Sequence, residues 1–163
     1  KLLFLDTPGH ARHHFCIFDE RSRSIFTGDT FGISYREFDV DGRPFIFPTT
    51  TPVQFEPEVL HSSIDRLMAL QPQAAYLTHF SRVTGLESLA GDLHRRLDDF
   101  VALARRVSGS GKERHQALMA MLEDYFIAEL NAHGCQLART EVVALLAADF
   151  DLNAQGMEVW LDK

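Results

Sequence analysis

Three short apolar runs in this chain each end in a turn that presents a histidine or an aspartate, and that pattern constrains the fold more than any other feature. Leu2-Leu3-Phe4-Leu5 leads through Asp6 into Thr7-Pro8-Gly9-His10, Ser24-Ile25-Phe26-Thr27 leads into Gly28-Asp29-Thr30, and the run 74–78 leads into His79. Apolar runs of four or five residues bounded by turn formers read as strands covered on both sides. Side chains delivered at the mouths of neighbouring strands converge on one crevice, where an α/β sandwich puts its site. Two imidazoles and a carboxylate in that position begin a metal centre. They do not complete one, because structural or catalytic zinc normally takes at least three protein ligands and a paired site needs more.

Each residue has its own chemistry and its own plain alternative. Pro8 stiffens the approach to His10 and Gly9 allows a close backbone turn, which suits a ligand whose position must be held tightly. Asp29 offers two oxygens with separate lone pairs and so can bridge two cations. Taken singly, His10 and His79 also read as turn histidines and Asp29 as a turn or capping carboxylate. His13 and His14 are adjacent in a predicted strand and point to opposite faces, so at most one looks into the site. His14 suits a place beneath His10, and His13 faces solvent or reaches a substrate. Arg12, Tyr35 and Arg36 are substrate-anchoring candidates that surface ion pairs explain equally well. His61, His94, His115 and His133 lie in helices or at their ends and read as non-ligands.

The rest of the chain frames those motifs. Phe15-Cys16-Ile17-Phe18 is predicted to pair with 24–27 as a hairpin. Residues 31–56 carry Gly32, Gly42, Pro44, Pro48 and Pro52 and cannot sustain a helix, so they read as a long ordered loop lining a site. Phe31, Tyr35, Phe38, Phe45, Phe47 and Phe55 let that loop pack. A helix is predicted from Pro57 through Met68, and a second from a Thr84–Glu87 capping box through Val107. Gly109-Ser110-Gly111 breaks the chain. One helix then ends at Gly134, another is capped by Thr140, and a last short one holds Met157, Trp160 and Leu161.

Composition narrows the partners. The 163 residues are 45% apolar and 24% charged, ordinary for a globular domain with a core. A net charge of −7 argues against a nucleic-acid groove. The Arg95-Arg96 and Arg105-Arg106 pairs share their helix with Asp92, Asp98 and Asp99 and read as a solvated face. Cys16 and Cys135 sit far apart in unlike elements, which predicts free thiols in a reducing cytoplasm. No run approaches the roughly 20 apolar residues of a membrane span.

The Thr-Pro-Gly-His, Thr-Gly-Asp-Thr and strand-end His segments resemble the metallo-beta-lactamase superfamily, and within it the glyoxalase-II-like metallohydrolases, over residues 2–80. The resemblance implies that His10 is a ligand of a first metal, Asp29 the bridging and catalytic carboxylate, and His79 a ligand of a second. It implies two divalent ions, zinc foremost with iron or manganese as alternatives, and hydrolysis of an ester, thioester or lactone by a metal-bound hydroxide. No His-x-His-x-Asp-His motif occurs here. The expected fold is therefore α/β: the C-terminal half of a four-layer αββα sandwich (1–108) followed by a helical region (109–163) like the accessory region of some bacterial members. The missing ligands are expected from an N-terminal half or a partner chain, so these residues alone should bind metal poorly. A homo-dimer contact stays open. Two other readings stand beside hydrolysis: an iron-dependent dioxygenase of the same fold, similar to persulfide dioxygenases, and a non-catalytic fragment that packs against a partner.

Overall fold

A computed structural model describes residues 1–50, 54–79 and 82–163. Five strands form one sheet in the order β1 (Leu2–Asp6), β2 (Phe15–Asp19), β3 (Ser24–Gly28), β4 (Ala74–Leu77), β5 (Arg82–Val83). The predicted hairpin is present, with Ile17 opposite Phe26 and Phe18 opposite Ile25. β1 adds to it antiparallel, whereas β4 joins β3 in parallel after a crossover through the loop and the first helix. Four helices follow: α1 (Pro57–Met68) lies within that crossover, then α2 (Leu86–Arg105), α3 (Gly111–His133) and α4 (Arg139–Leu161).

Strand alternation divides the sheet into unlike faces. Cys16, Phe18, Ile25, Ala75, Leu77 and Val83 are buried with Leu60, Ile64 and Leu67 of α1 and Leu89, Leu93 and Leu97 of α2. Each large aliphatic side chain so buried contributes about 1.5–3 kcal/mol relative to exposure. The opposite face leaves Leu2, Phe4, Phe15, Phe26 and Tyr76 between 38% and 67% exposed. Register puts these on one surface: Phe4 pairs with Ile17, Ile17 with Phe26, and Phe26 with Tyr76.

A second core lies where the long loop meets the helices. Ile33, Phe38, Phe45 and Phe47 pack with Phe100 of α2, Leu122 and Phe126 of α3, and Phe150 and Met157 of α4. The loop aromatics thus order the loop by burial, with a 3-10 turn at Arg36–Phe38 and bridges between Ile33 and Phe47 and between Val40 and Arg43 as regular features of its described residues. Thr51 and Pro52 of its Pro-Thr-Thr-Thr-Pro motif lie outside the described residues. The break between α2 and α3 contains position 108, and the second core draws side chains from both sides of it.

Four local expectations need correction. The Thr84–Glu87 box does not form, because Gly85 is the N-cap in a left-handed conformation and the helix starts one residue too late for that spacing. The two helices expected after Gly134 are one, α4, which runs through the buried Gly156. A mid-helix glycine costs about 1 kcal/mol relative to alanine, and burial of Phe150, Ala154 and Met157 around it offsets that. Its N-terminus is closed by the Glu141 carboxylate, which accepts the Ala138 N–H at 2.7 Å, rather than by Thr140. Finally, Arg96 is not on a solvated face: it is 3% exposed and donates to the Ile46 carbonyl and to Glu129.

Candidate metal centre at the strand ends

His10 sits in a tight turn closed by the Thr7 N–H on the His14 carbonyl, at 2.9 Å. Gly9 is required there: its φ is +123°, and a Cβ would stand 2.4 Å from the backbone of Leu60. The turn is tied down by the Glu56 N–H on the Gly9 carbonyl and by the Ser63 hydroxyl on the Pro8 carbonyl. The imidazole is 6% exposed, and its Nδ1 lies 2.9 Å from the Thr49 carbonyl. A carbonyl only accepts, so Nδ1 carries the proton and Nε2 presents a lone pair.

That lone pair faces Asp29. His10 Nε2 lies 3.5 Å from Asp29 Oδ2, and His79 Nε2 lies 3.5 Å from Asp29 Oδ1. The carboxylate is therefore flanked by two imidazoles, one to each oxygen. Its Oδ1 is buried and accepts no hydrogen bond among the described residues. A buried carboxylate oxygen in that condition is costly unless a cation satisfies it. Nitrogen and oxygen donors that face each other through their lone pairs fit a divalent ion between them. Among the described residues, no three or more histidine, cysteine, aspartate or glutamate side chains come together as a group that could hold a metal ion.

His14 holds Asp29 in place, a role that the sequence indicated only by adjacency. His13 and His14 lie in the turn before β2 rather than in the strand, so the expected alternation does not apply. The Asp29 N–H donates to His14 Nε2 at 3.0 Å, and His14 Nδ1 lies 3.0 Å from the Thr30 hydroxyl. The first contact leaves Nε2 unprotonated and so puts the proton on Nδ1. Burial lowers the His14 pKa below its ordinary value, and nearby His10 lowers it further. Gly28 makes room for this ring, since a Cβ there would stand 2.2 Å from His14 Cε1.

The other candidates spread out. His13 is exposed and lines, with His10, His14 and Asp29, an open pocket of about 420 Å³. A larger depression of about 740 Å³ between Met68, Pro72 and Leu86 has Glu87 as the one titratable group in its lining. Arg12 is exposed and paired with Glu56. Tyr35 stacks on Phe47 and donates its hydroxyl to the buried Asp149 of α4. Arg36 binds Asp39 and the Arg82 carbonyl.

One support for the site comes from more than 100 residues away and left no local signal. Asn153 of α4 accepts the Thr50 N–H at 2.8 Å through its side chain, and its backbone carbonyl accepts the Thr50 hydroxyl. Thr50 adjoins the Thr49 carbonyl that orients His10, so the helical region braces a strand-end ligand.

No protein-family model and no curated protein matches this sequence. Solved structures do. A metallo-beta-lactamase family protein from Thermus thermophilus superposes with a TM-score of 0.51 at 22% identity, over 90% of this chain and 45% of its own. The chain shares the fold of part of that protein. An archaeal metallo-beta-lactamase superfamily protein from Sulfolobus tokodaii gives a TM-score of 0.49 at 19% identity, over 96% of this chain and 45% of its own. The chain thus spans less than half the length of either structure. Within the metallo-beta-lactamase fold the expected mixed α/β architecture holds, and among the described residues no helix is long and apolar enough to cross a membrane.

Proposed function

We propose that His10, Asp29 and His79 are part of a two-metal centre that hydrolyses an activated acyl bond in an ester, thioester or lactone. The observation that carries this reading is the single carboxylate with each oxygen turned to a different Nε2 at 3.5 Å. Held there, divalent ions supply a Lewis acid for the carbonyl and a hydroxide at neutral pH. The chain's own residues do the positioning. Thr49 and His14 fix the orientation of His10 and Asp29, while His13, at the open side of the pocket, and Arg12 beyond it are placed to meet the substrate.

Three ligands are too few for two ions, so the remaining ligands come from polypeptide outside these 163 residues. The apolar outer face of the sheet supports the same reading, because a patch carrying Leu2, Phe4, Phe15, Phe26 and Tyr76 calls for another layer to cover it. That layer is either further chain of the same protein or a partner.

The test is metal content and thioester hydrolysis of the complete polypeptide, with Asp29→Asn as the variant. Wild type should carry about two ions at the strand ends. Asp29→Asn should lose metal affinity by more than about 100-fold, beyond the 10- to 100-fold typical of losing a group that only orients a ligand. Unchanged metal content in Asp29→Asn would remove Asp29 from the site and the hydrolase reading with it.

A further inference from the structure

On the helical side of the molecule, α1 and α2 bring two more imidazoles together. His61 of α1 and His94 of α2 meet Nδ1 to Nδ1 at 2.6 Å. Their planes differ by 6° and their centroids are 4.8 Å apart, close to that contact plus two ring radii. The rings therefore meet edge to edge, with the Nδ1 lone pairs aimed at each other. Both outer nitrogens are engaged: His61 Nε2 lies 3.1 Å from Asp98 Oδ1, and His94 Nε2 lies 3.1 Å from Asp65 Oδ1. Each helix supplies one histidine and an aspartate four residues on, and each imidazole reaches the aspartate of the other helix.

Counting protons shows what is missing. Three contacts link this row of four side chains, and each needs a proton or another cation between its lone pairs. Two neutral imidazoles bring two protons, and the carboxylates claim both at Nε2. A carboxylate on one nitrogen and a bare lone pair on the other is the state of a metal-binding histidine. A further positive charge must then sit between the two Nδ1 atoms. Neighbouring guanidiniums do not supply it: Arg95 is turned to Asp92, Asp99 and Glu129, and Arg66 to the Asp6 carbonyl. The imidazoles are 26% and 27% exposed, so the position is open to exchange with solution.

We propose that His61 and His94 form a two-imidazole site for a divalent transition-metal ion of the zinc, nickel or copper class, in which the ion displaces one shared proton. Two Nδ1–metal bonds form, one proton leaves to solvent, and water fills the remaining positions. Imidazole nitrogen suits these ions. With bonds of about 2.0–2.1 Å in tetrahedral geometry, the two nitrogens stand about 3.3 Å apart, so the rings part by less than about 1 Å and each turns by about 35° to bring its lone pair onto the ion. The ion pins α1 to α2, the two helices that cover the inner face of the sheet. The expectation that His61 and His94 are non-ligands rests on their places within helices, and packing of the two helices brings those places together.

Calorimetric titration with zinc and nickel tests this in a His10→Ala, Asp29→Asn, His79→Ala background, which removes all three strand-end ligands of the proposed hydrolase centre. Run in two buffers of different ionisation enthalpy, it should give one ion per chain and about one proton released per ion. His94→Gln should abolish the binding, and Asp65→Asn with Asp98→Asn should weaken it by about 10- to 100-fold. The Asp variants keep both imidazoles and provide the answer if His94→Gln does not fold. No saturable binding in the background protein, or equal affinity in His94→Gln, overturns the proposal and leaves a shared proton as the charge between the rings.

Discussion

Arg96 shows how one side chain can tie the two cores together. Its guanidinium donates to the Ile46 carbonyl and to Glu129 of α3, and lies 3.9 Å from the centre of the Phe45 ring. Burial pushes the Glu129 carboxyl up, but hydrogen bonds from Arg95 and Arg96 outweigh this and hold it below its usual range. Without Arg96, Arg95 still pairs with Glu129, but the buried Ile46 carbonyl loses this donor and the Phe45 ring its cation, at a cost of about 1–3 kcal/mol. Arg96→Ala should lower stability by that amount in urea denaturation, whereas Arg106→Ala, on an exposed residue, should change it little. Equal effects of the two would show that the buried network contributes nothing special. In sequence, Arg95 and Arg96 are one basic pair on an acidic helix. A turn of about 100° per residue separates an exposed ion pair from a buried anchor, and only the packing of α3 shows which is which.

Among the helices, α3 and α4 meet through charges as well as apolar side chains. His115 of α3 lies between Glu158, 2.9 Å from Nδ1, and Asp151, 2.9 Å from Nε2, both on α4. The Glu158 hydrogen bond raises the His115 pKa above its ordinary 6.5 against partial burial, and Asp151 adds to the rise. The folded state therefore binds this proton more tightly than the unfolded chain. The stabilisation is complete below 6.5 and is lost as pH rises through the elevated value. The urea midpoint of wild type should exceed that of His115→Gln most at low pH, and the gap should close upward from 6.5. A constant gap across that range would assign the difference to packing alone. Helix existence was legible here from apolar spacing, but the continuity of α4 was not. Gly156 marks a break by local propensity, and it is kept in the helix by side chains that the rest of the fold buries around it.

Over the whole molecule, the sheet is the asymmetric element: its inner face is sealed by α1 and α2, and its outer face carries exposed aromatics, including the Phe26–Tyr76 stack at 5.0 Å. Such a surface binds apolar dyes and self-associates. Phe4→Lys with Phe15→Lys should lower dye fluorescence and aggregation in light scattering without shifting the unfolding midpoint by more than about 0.5 kcal/mol. If the midpoint instead collapses, those rings belong to the core of this unit and not to a surface awaiting cover.

The sequence by itself determined β1 to β4, the hairpin, the first three helices in outline and the three strand-end side chains, because apolar periodicity and Gly or Pro turn chemistry act over a few residues. Tertiary structure alone decided which lone pairs face each other. The approach of His10 and His79 to Asp29, the hold of Asn153 on the loop behind His10, and the pairing of His61 with His94 each join residues 19 to 103 positions apart. Such contacts are set by how faces of strands and helices pack, and no local pattern encodes that distance.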